Sequence, residues 1–191
     1  MIRIALIDDH PALAAGLTAV LDAEPDLEPV GAASDREEAE HLLYRTRPDV
    51  VLVDYHLPRG DGLQLCRRIK ADAPAPKVIV YSAYADAWLT FVARAAGADG
   101  VASKAAPARE LLELVRRVAC GERVLAPVTA EHRNAAAARL DAGDAPLLSL
   151  LLDGTSPRDV AQTLRIEPHD LPHRIDRLLA RLRVDVPVPV A

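Results

Sequence analysis

The 191-residue sequence is short of several things, and each shortage removes a class of protein. It has only two cysteines, Cys66 and Cys120, far apart and in no metal-ligand or redox spacing. With no disulfide framework, a reducing compartment is expected. No apolar run approaches the roughly 20 residues that a membrane span needs. The run Ile2–Ile7 meets Asp8 and Asp9 at once, too early for the apolar stretch of a secretory signal. The expected location is the cytoplasm, with no membrane partner. Basic charge is lacking too: a formal net charge of −5 gives no overall attraction to nucleic acid, though it leaves room for a local basic patch. There is no internal repeat. What the chain does have is apolar material, half of its residues, and a length that fits one large domain or two small ones.

Short apolar runs alternate with longer stretches of helical period, the pattern of a parallel sheet covered on both faces by helices. The runs are Ile2–Ile7, Pro29–Ala33, Val50–Val53, Val78–Tyr81 and Gly100–Ala102. Several are apolar at successive positions, as strands buried on both faces are. Helices are expected near Pro11–Asp22, Arg36–Thr46, Gly62–Ala71, Asp86–Ala96 and Pro107–Cys120. Asp35 is placed to cap the second, Pro107 suits a first helical position, and Gly97 fits the end of the fourth. These units make an α/β domain over residues 1–120. The segment 121–139 opens on a break at Gly121–Pro127 and turns alanine-rich, which reads as a partly helical linker. From 140 to 184 only helical patterns appear. The tail 185–191 alternates valine and proline and is expected to be extended.

Chemistry gathers at strand ends, where ligands of open α/β sheets bind. Asp8 and Asp9 follow the first strand, Asp54 the third, Ser82 the fourth and Lys104 the fifth. Each has an ordinary reading when taken alone: the acidic pair at a helix start, Ser82 in a turn, Lys104 as a surface charge. Together, in strand order, they point to one site. Three close carboxylates repel one another, and a hard cation such as Mg²⁺ keeps them ionised together. A lysine and a hydroxyl add charge and a donor where a transferred phosphoryl group grows more negative.

The stretches Ile7-Asp8-Asp9-His10-Pro11, Val53–Gly62, Tyr81-Ser82-Ala83 and Gly97-Ala98-Asp99-Gly100 followed by Lys104 resemble the receiver domain of two-component response regulators. That likeness covers about two-thirds of the chain. It implies a flavodoxin-like five-stranded fold with Asp54 as phosphoacceptor. Mg²⁺ would be held directly by Asp9, Asp54 and the backbone carbonyl of His56, and by Asp8 largely through water. Lys104 would bridge the phosphoryl group and an acidic carboxylate, and Ser82 would hydrogen-bond the phosphoryl group. The implied donor is a sensor histidine kinase or a small phosphodonor. The implied activity is Mg²⁺-dependent self-phosphorylation and autodephosphorylation, not turnover of a substrate. Val101 stands where the family usually has an aromatic switch residue, so Ser82 alone would carry the shift of the following loop. His56 and Tyr84 occupy positions that tune phosphoryl loss in relatives.

From Leu140 on, the chain resembles the helix-turn-helix domain of LuxR-type regulators, through Gly154–Ile166 and then Leu171, Ile175, Leu178, Leu179, Leu182 and Val184. The resemblance implies a four-helix output domain that binds DNA, with His173, Arg174, Arg177 and Arg181 facing the nucleic acid, and dimerisation on phosphorylation. An arginine stripe is equally a solvated helix face. Pro172 and Asp176 depart from the DNA-reading pattern. From residue 121 on, nine arginines face ten acidic residues, a poor electrostatic footprint for DNA. The leading reading is a phosphorylation-controlled transcription regulator. The alternative is an adaptor or phosphate sink whose C-terminal helices contact protein. A metal-dependent phosphatase is disfavoured, since such enzymes usually show an Asp-x-Asp pair after the first strand.

Overall fold

The computed structural model describes residues 1–58, 60–71 and 74–183, so the tail expected over 185–191 lies outside the described residues. In chain order the first part runs β1 (Ile2–Ile7), α1 (Pro11–Asp22), β2 (Leu27–Ala33), α2 (Arg36–Thr46), β3 (Val50–Asp54), β4 (His56–Leu57), β5 (Gly60–Asp61), α3 (Gly62–Ile69), β6 (Lys77–Ser82), α4 (Ala87–Ala95), β7 (Gly100–Ser103) and α5 (Ala108–Ala119). The second part is helical: α6 (Ala130–Ala137), α7 (Ala145–Asp153), α8 (Pro157–Leu164) and α9 (Leu171–Leu182). No helix among the described residues is long and apolar enough to cross a membrane.

Five parallel strands form one sheet in the order β2-β1-β3-β6-β7, and β4 and β5 make a small antiparallel hairpin beside it. The period of two along each strand divides the core. Ile4, Leu6, Val50, Leu52 and Ile79 pack toward α1 and α5. Ala5, Ile7, Val51, Val53, Val78 and Val80 pack toward α2, α3 and α4. Burial on both faces is what made the strands read as continuous apolar runs.

Local capping follows residue chemistry. Asp35 accepts from Glu38 N at 3.0 Å, Asp61 from Gln64 N at 2.7 Å and Asp86 from Leu89 N at 2.6 Å. Gly97, at φ +91°, turns the chain out of α4 in a conformation that a side chain resists. Some bounds differ from expectation. β2 starts at Leu27, because Ile2 already pairs there; on this edge strand Pro29, which has no N–H, is tolerated. Pro107 precedes α5 instead of opening it, with ψ 141° and its carbonyl accepting from Glu110 N at 2.9 Å. α3 ends at Ile69 rather than Ala71; the next residue, Lys70, gives its ammonium to Asp99 at 2.9 Å.

A four-helix unit was expected after residue 140; the described residues hold three helices there, α7 to α9. Their buried residues, among them Leu147, Leu152, Val160, Ile175, Leu178 and Leu182, belong to the same core as α4 and one face of the sheet. α4 therefore lies under them as a shared wall. Pro146 and Pro172 both fall in first turns, where no N–H is needed, so α9 runs unbroken through its apolar face.

Candidate functional site

β1 and β3 are neighbours and end together, so Asp8, Asp9 and Asp54 meet at the carboxyl edge of the sheet. Asp8 is 6 % and Asp54 3 % exposed, an expensive place for charge unless it is paired. Lys104, carried in from the end of β7, puts Nζ 2.8 Å from Asp8 Oδ2 and 2.8 Å from Asp54 Oδ2. Its backbone N–H donates to the Ser82 carbonyl at 2.8 Å, which ties the β6 and β7 ends to each other. Ser82 is fully buried, and its Oγ accepts from Tyr84 N at 3.1 Å. The N–H of His56 approaches Asp54 Oδ1 at 3.3 Å. Gly62 is needed close by: a Cβ there would collide with the backbone carbonyl of Asp54.

Two buried carboxylates share one ammonium with a third carboxylate beside them, and the electrostatics show the shortage. Burial pushes the Asp54 carboxyl above its ordinary range; the hydrogen bond and charge of Lys104 pull it back, and Asp8 pushes it up again. Burial alone would lower Lys104, but its hydrogen bonds to Asp54 and Asp8 outweigh that and hold its ammonium charged. Asp9 Oδ1 is buried and makes no hydrogen bond. Ligand atoms of Asp8, Asp9, His10 and Asp54 all lie within 4.8 Å of one another. A buried carboxylate oxygen that makes no hydrogen bond, in a cradle of three acids with His10 beside them, suits a hard divalent cation, so the residues fit Mg²⁺.

The residues expected at the sheet edge are thus brought together, with Ser82 attached through Lys104. Val101 is half-buried on β7, opposite Val80. The four expected DNA-facing residues are not presented as one free stripe. His173 lines a cleft against α2 and α3 together with Pro172 and Asp176. Arg181 is taken by Asp141 at 2.5 Å and Asp144 at 3.0 Å. Arg174 is half-buried, and Arg177 is exposed.

Sequence reasoning missed the contacts between the two parts. Arg67 of α3 grips Asp176 of α9 with two bonds, Nε–Oδ1 at 2.5 Å and Nη2–Oδ2 at 2.9 Å. Arg183 reaches Asp61 at 2.6 Å, and Asp61 faces His56 across the β4–β5 hairpin. Trp88 of α4 donates its indole N–H to the Leu182 carbonyl at 3.0 Å, stacks on Phe91 at 5.2 Å and carries the Arg139 guanidinium 4.4 Å above its ring. The one available signal was Asp176 itself, an acid on a face otherwise suited to phosphates.

The sequence profile of the Response regulator receiver domain matches residues 4–116. The DNA-binding transcriptional activator DevR/DosR of Mycobacterium tuberculosis is 30% identical, the alignment covering 97% of this chain and 90% of that protein. The transcriptional regulatory protein LiaR of Bacillus subtilis is also 30% identical, over 96% of this chain and 92% of that one. Among solved structures, a LuxR-family two-component response regulator from Aurantimonas sp. SI85-9A1 superposes with a TM-score of 0.62 at 29% identity, covering 66% of this chain and 91% of that one. The response regulator ChrA of a heme-sensing two-component system is similar over 97% of this chain and 92% of its own, at 32% identity and a TM-score of 0.56.

Proposed function

We infer that this chain, which belongs to the response regulators, takes a phosphoryl group from a sensor histidine kinase onto Asp54 and controls transcription through its C-terminal helices. The observation that carries the first half is Lys104 Nζ, 2.8 Å from both Asp8 and Asp54 at the sheet's carboxyl edge. In the transfer, an Asp54 carboxylate oxygen attacks the phosphorus of a phosphohistidine. The P–N bond breaks, its electron pair goes to the ring nitrogen, which takes a proton, and Asp54 becomes an acyl phosphate. Lys104 exchanges its bond to Asp54 for one to the phosphoryl oxygens while keeping Asp8. Ser82 turns its hydroxyl from Tyr84 N to the same group, drawing in the loop after β6. Mg²⁺, held by Asp9, Asp54 and the His56 carbonyl, with Asp8 acting through water, would offset the charge of the carboxylates and the incoming group.

The second half rests on full-length likeness to relatives that are named as transcriptional regulators. His173, Arg174, Arg177 and Arg181 would meet DNA once α9 moves away from α3, with two phosphorylated copies pairing on a two-fold site. Two experiments test the reading. Incubation with Mg²⁺ and a small phosphodonor adds one phosphoryl group, seen by intact mass, and Asp54→Ala abolishes it. Selection from random DNA by the phosphorylated protein, at fixed salt, enriches a two-fold sequence. A phosphoryl group on another residue, or no enriched sequence, would refute the corresponding half.

A further inference from the structure

The acceptor-site reading leaves one side chain unused. His10 occupies the residue before α1, yet its ring makes no cap bond to that helix. Its backbone N–H is anchored on Asp8 Oδ1 at 2.8 Å. Its Nδ1 turns into the acidic cluster, 3.2 Å from Asp8 Oδ1 and 2.8 Å from Asp9 Oδ1. The Asp9 oxygen it approaches is the buried one that makes no hydrogen bond. With its side chain 67 % exposed, the ring is at the solvent-exposed side of the cluster. One ligand atom from each of the four residues lies within 4.8 Å of the others, close to the span across one ion whose ligands sit at about 2.1 Å.

We propose that His10 is a nitrogen ligand of the acceptor-site cation and biases that site toward first-row transition ions such as Co²⁺, with Mn²⁺ affected less and Mg²⁺ not at all. The proposal rests on the metal site inferred above and adds a selectivity to it. Mg²⁺ takes oxygen ligands and gains little from an imidazole. Along the series from Mn²⁺ to Zn²⁺ the gain from a nitrogen ligand grows. Three carboxylates alone would rank the same ions, but that ranking would not depend on residue 10.

The test is calorimetric titration of the full chain with Mg²⁺, Mn²⁺ and Co²⁺, for the wild type, His10→Ala, His10→Asn and Asp54→Ala. His10→Ala is expected to weaken Co²⁺ binding by about tenfold or more and Mn²⁺ binding by less, with Mg²⁺ binding unchanged. In proton NMR the Co²⁺-loaded wild type should show a strongly shifted exchangeable imidazole N–H that both His10 variants lack. Equal loss of all three ions in His10→Ala would overturn the proposal, as would an unchanged Co²⁺ affinity or a shifted N–H that persists. In those cases Mg²⁺ binding that disappears in Asp54→Ala keeps the site reading intact. A wild type that binds none of the three ions would instead overturn the metal site itself.

Discussion

The proposed acceptor site and the α3–α9 junction are both organised by a short cation–carboxylate contact, but their charge balance is opposite. At that site Lys104 serves two buried carboxylates with a third beside them, which leaves an excess of negative charge and an Asp9 oxygen that makes no hydrogen bond and has the His10 ring nitrogen 2.8 Å away. At the junction Arg67 and Asp176 match one to one, two bonds to two oxygens. The first arrangement is incomplete and calls for a ligand. The second is satisfied, and its geometry serves to hold. In this chain chemistry and attachment are therefore assigned to different charged groups, and each can be disturbed without the other.

The largest separation comes from the acceptor side. Lys104→Ala should slow phosphoryl uptake from a small phosphodonor by about 10²-fold, the scale for losing one positioned electrostatic partner. Arg67→Ala should leave that rate nearly unchanged in the same stopped-time mass assay. Equal slowing by both would dissolve the distinction.

How far the sequence could be read follows the same line. β1, β3 and β6 were legible because strands buried on both faces are apolar throughout, and the meeting of Asp8, Asp9, Asp54 and Lys104 was legible because they sit at strand ends. The hairpin β4–β5 was not, since two-residue strands carry no period. Nor was the Arg67–Asp176 pair, which joins positions 109 residues apart that each look like solvated charge on a helix. Pro172 departs from the family's DNA-reading pattern, and in the first turn of α9 it costs the helix nothing. Asp176 looked misplaced only because its partner lay in the other part of the chain.

The next effect in size belongs to the junction. Asp176→Ala leaves Arg67, whose side chain is 11 % exposed, without its acceptor, and should cost about 1–3 kcal/mol. Trp88 is the only tryptophan, so a red shift of its emission reports loosening near Leu182. The exchange Arg67→Asp with Asp176→Arg should restore part of the loss. No shift in emission and no change in melting would show that the pair does not hold the parts together.

A smaller effect comes from charge at the acceptor. Because burial raises Asp54 in the folded state, folding takes up protons between the ordinary carboxylate range and that raised value, so stability falls as pH climbs through this window. Above it the ionised Asp54 opposes folding. Asp54→Asn should therefore raise Tm at neutral pH in a chelator by about 2–4 °C, the shift for roughly 1 kcal/mol in a chain of this size. Saturating Mg²⁺ should close the gap by stabilising the wild type alone. A lower Tm for Asp54→Asn in the chelator would reverse the argument.

The smallest expected change is in phosphoryl lifetime. His56 and Tyr84 border the acceptor site, His56 through Asp54 Oδ1 and Tyr84 through Ser82 Oγ. His56→Ala with Tyr84→Ala should admit water and speed phosphoryl loss by a few-fold, a scale of about 1 kcal/mol in barrier. An unchanged half-life would remove them from that role.

The position of α4 sets where the chain can be cut. The stretch Ala145–Leu182 is close to the size of about 40 residues below which a chain rarely folds without outside support. Here that support is α4, whose Trp88 and Phe91 continue the core on which α7 and α9 rest. Severing the chain between α6 and α7 would leave one fragment with an uncovered aromatic face and another too small to close its own interior. The two parts should melt in a single cooperative transition. A signal arriving at Asp54 would then rearrange one folding unit, with α9 turning on a support that stays in place, in preference to casting loose an independent module.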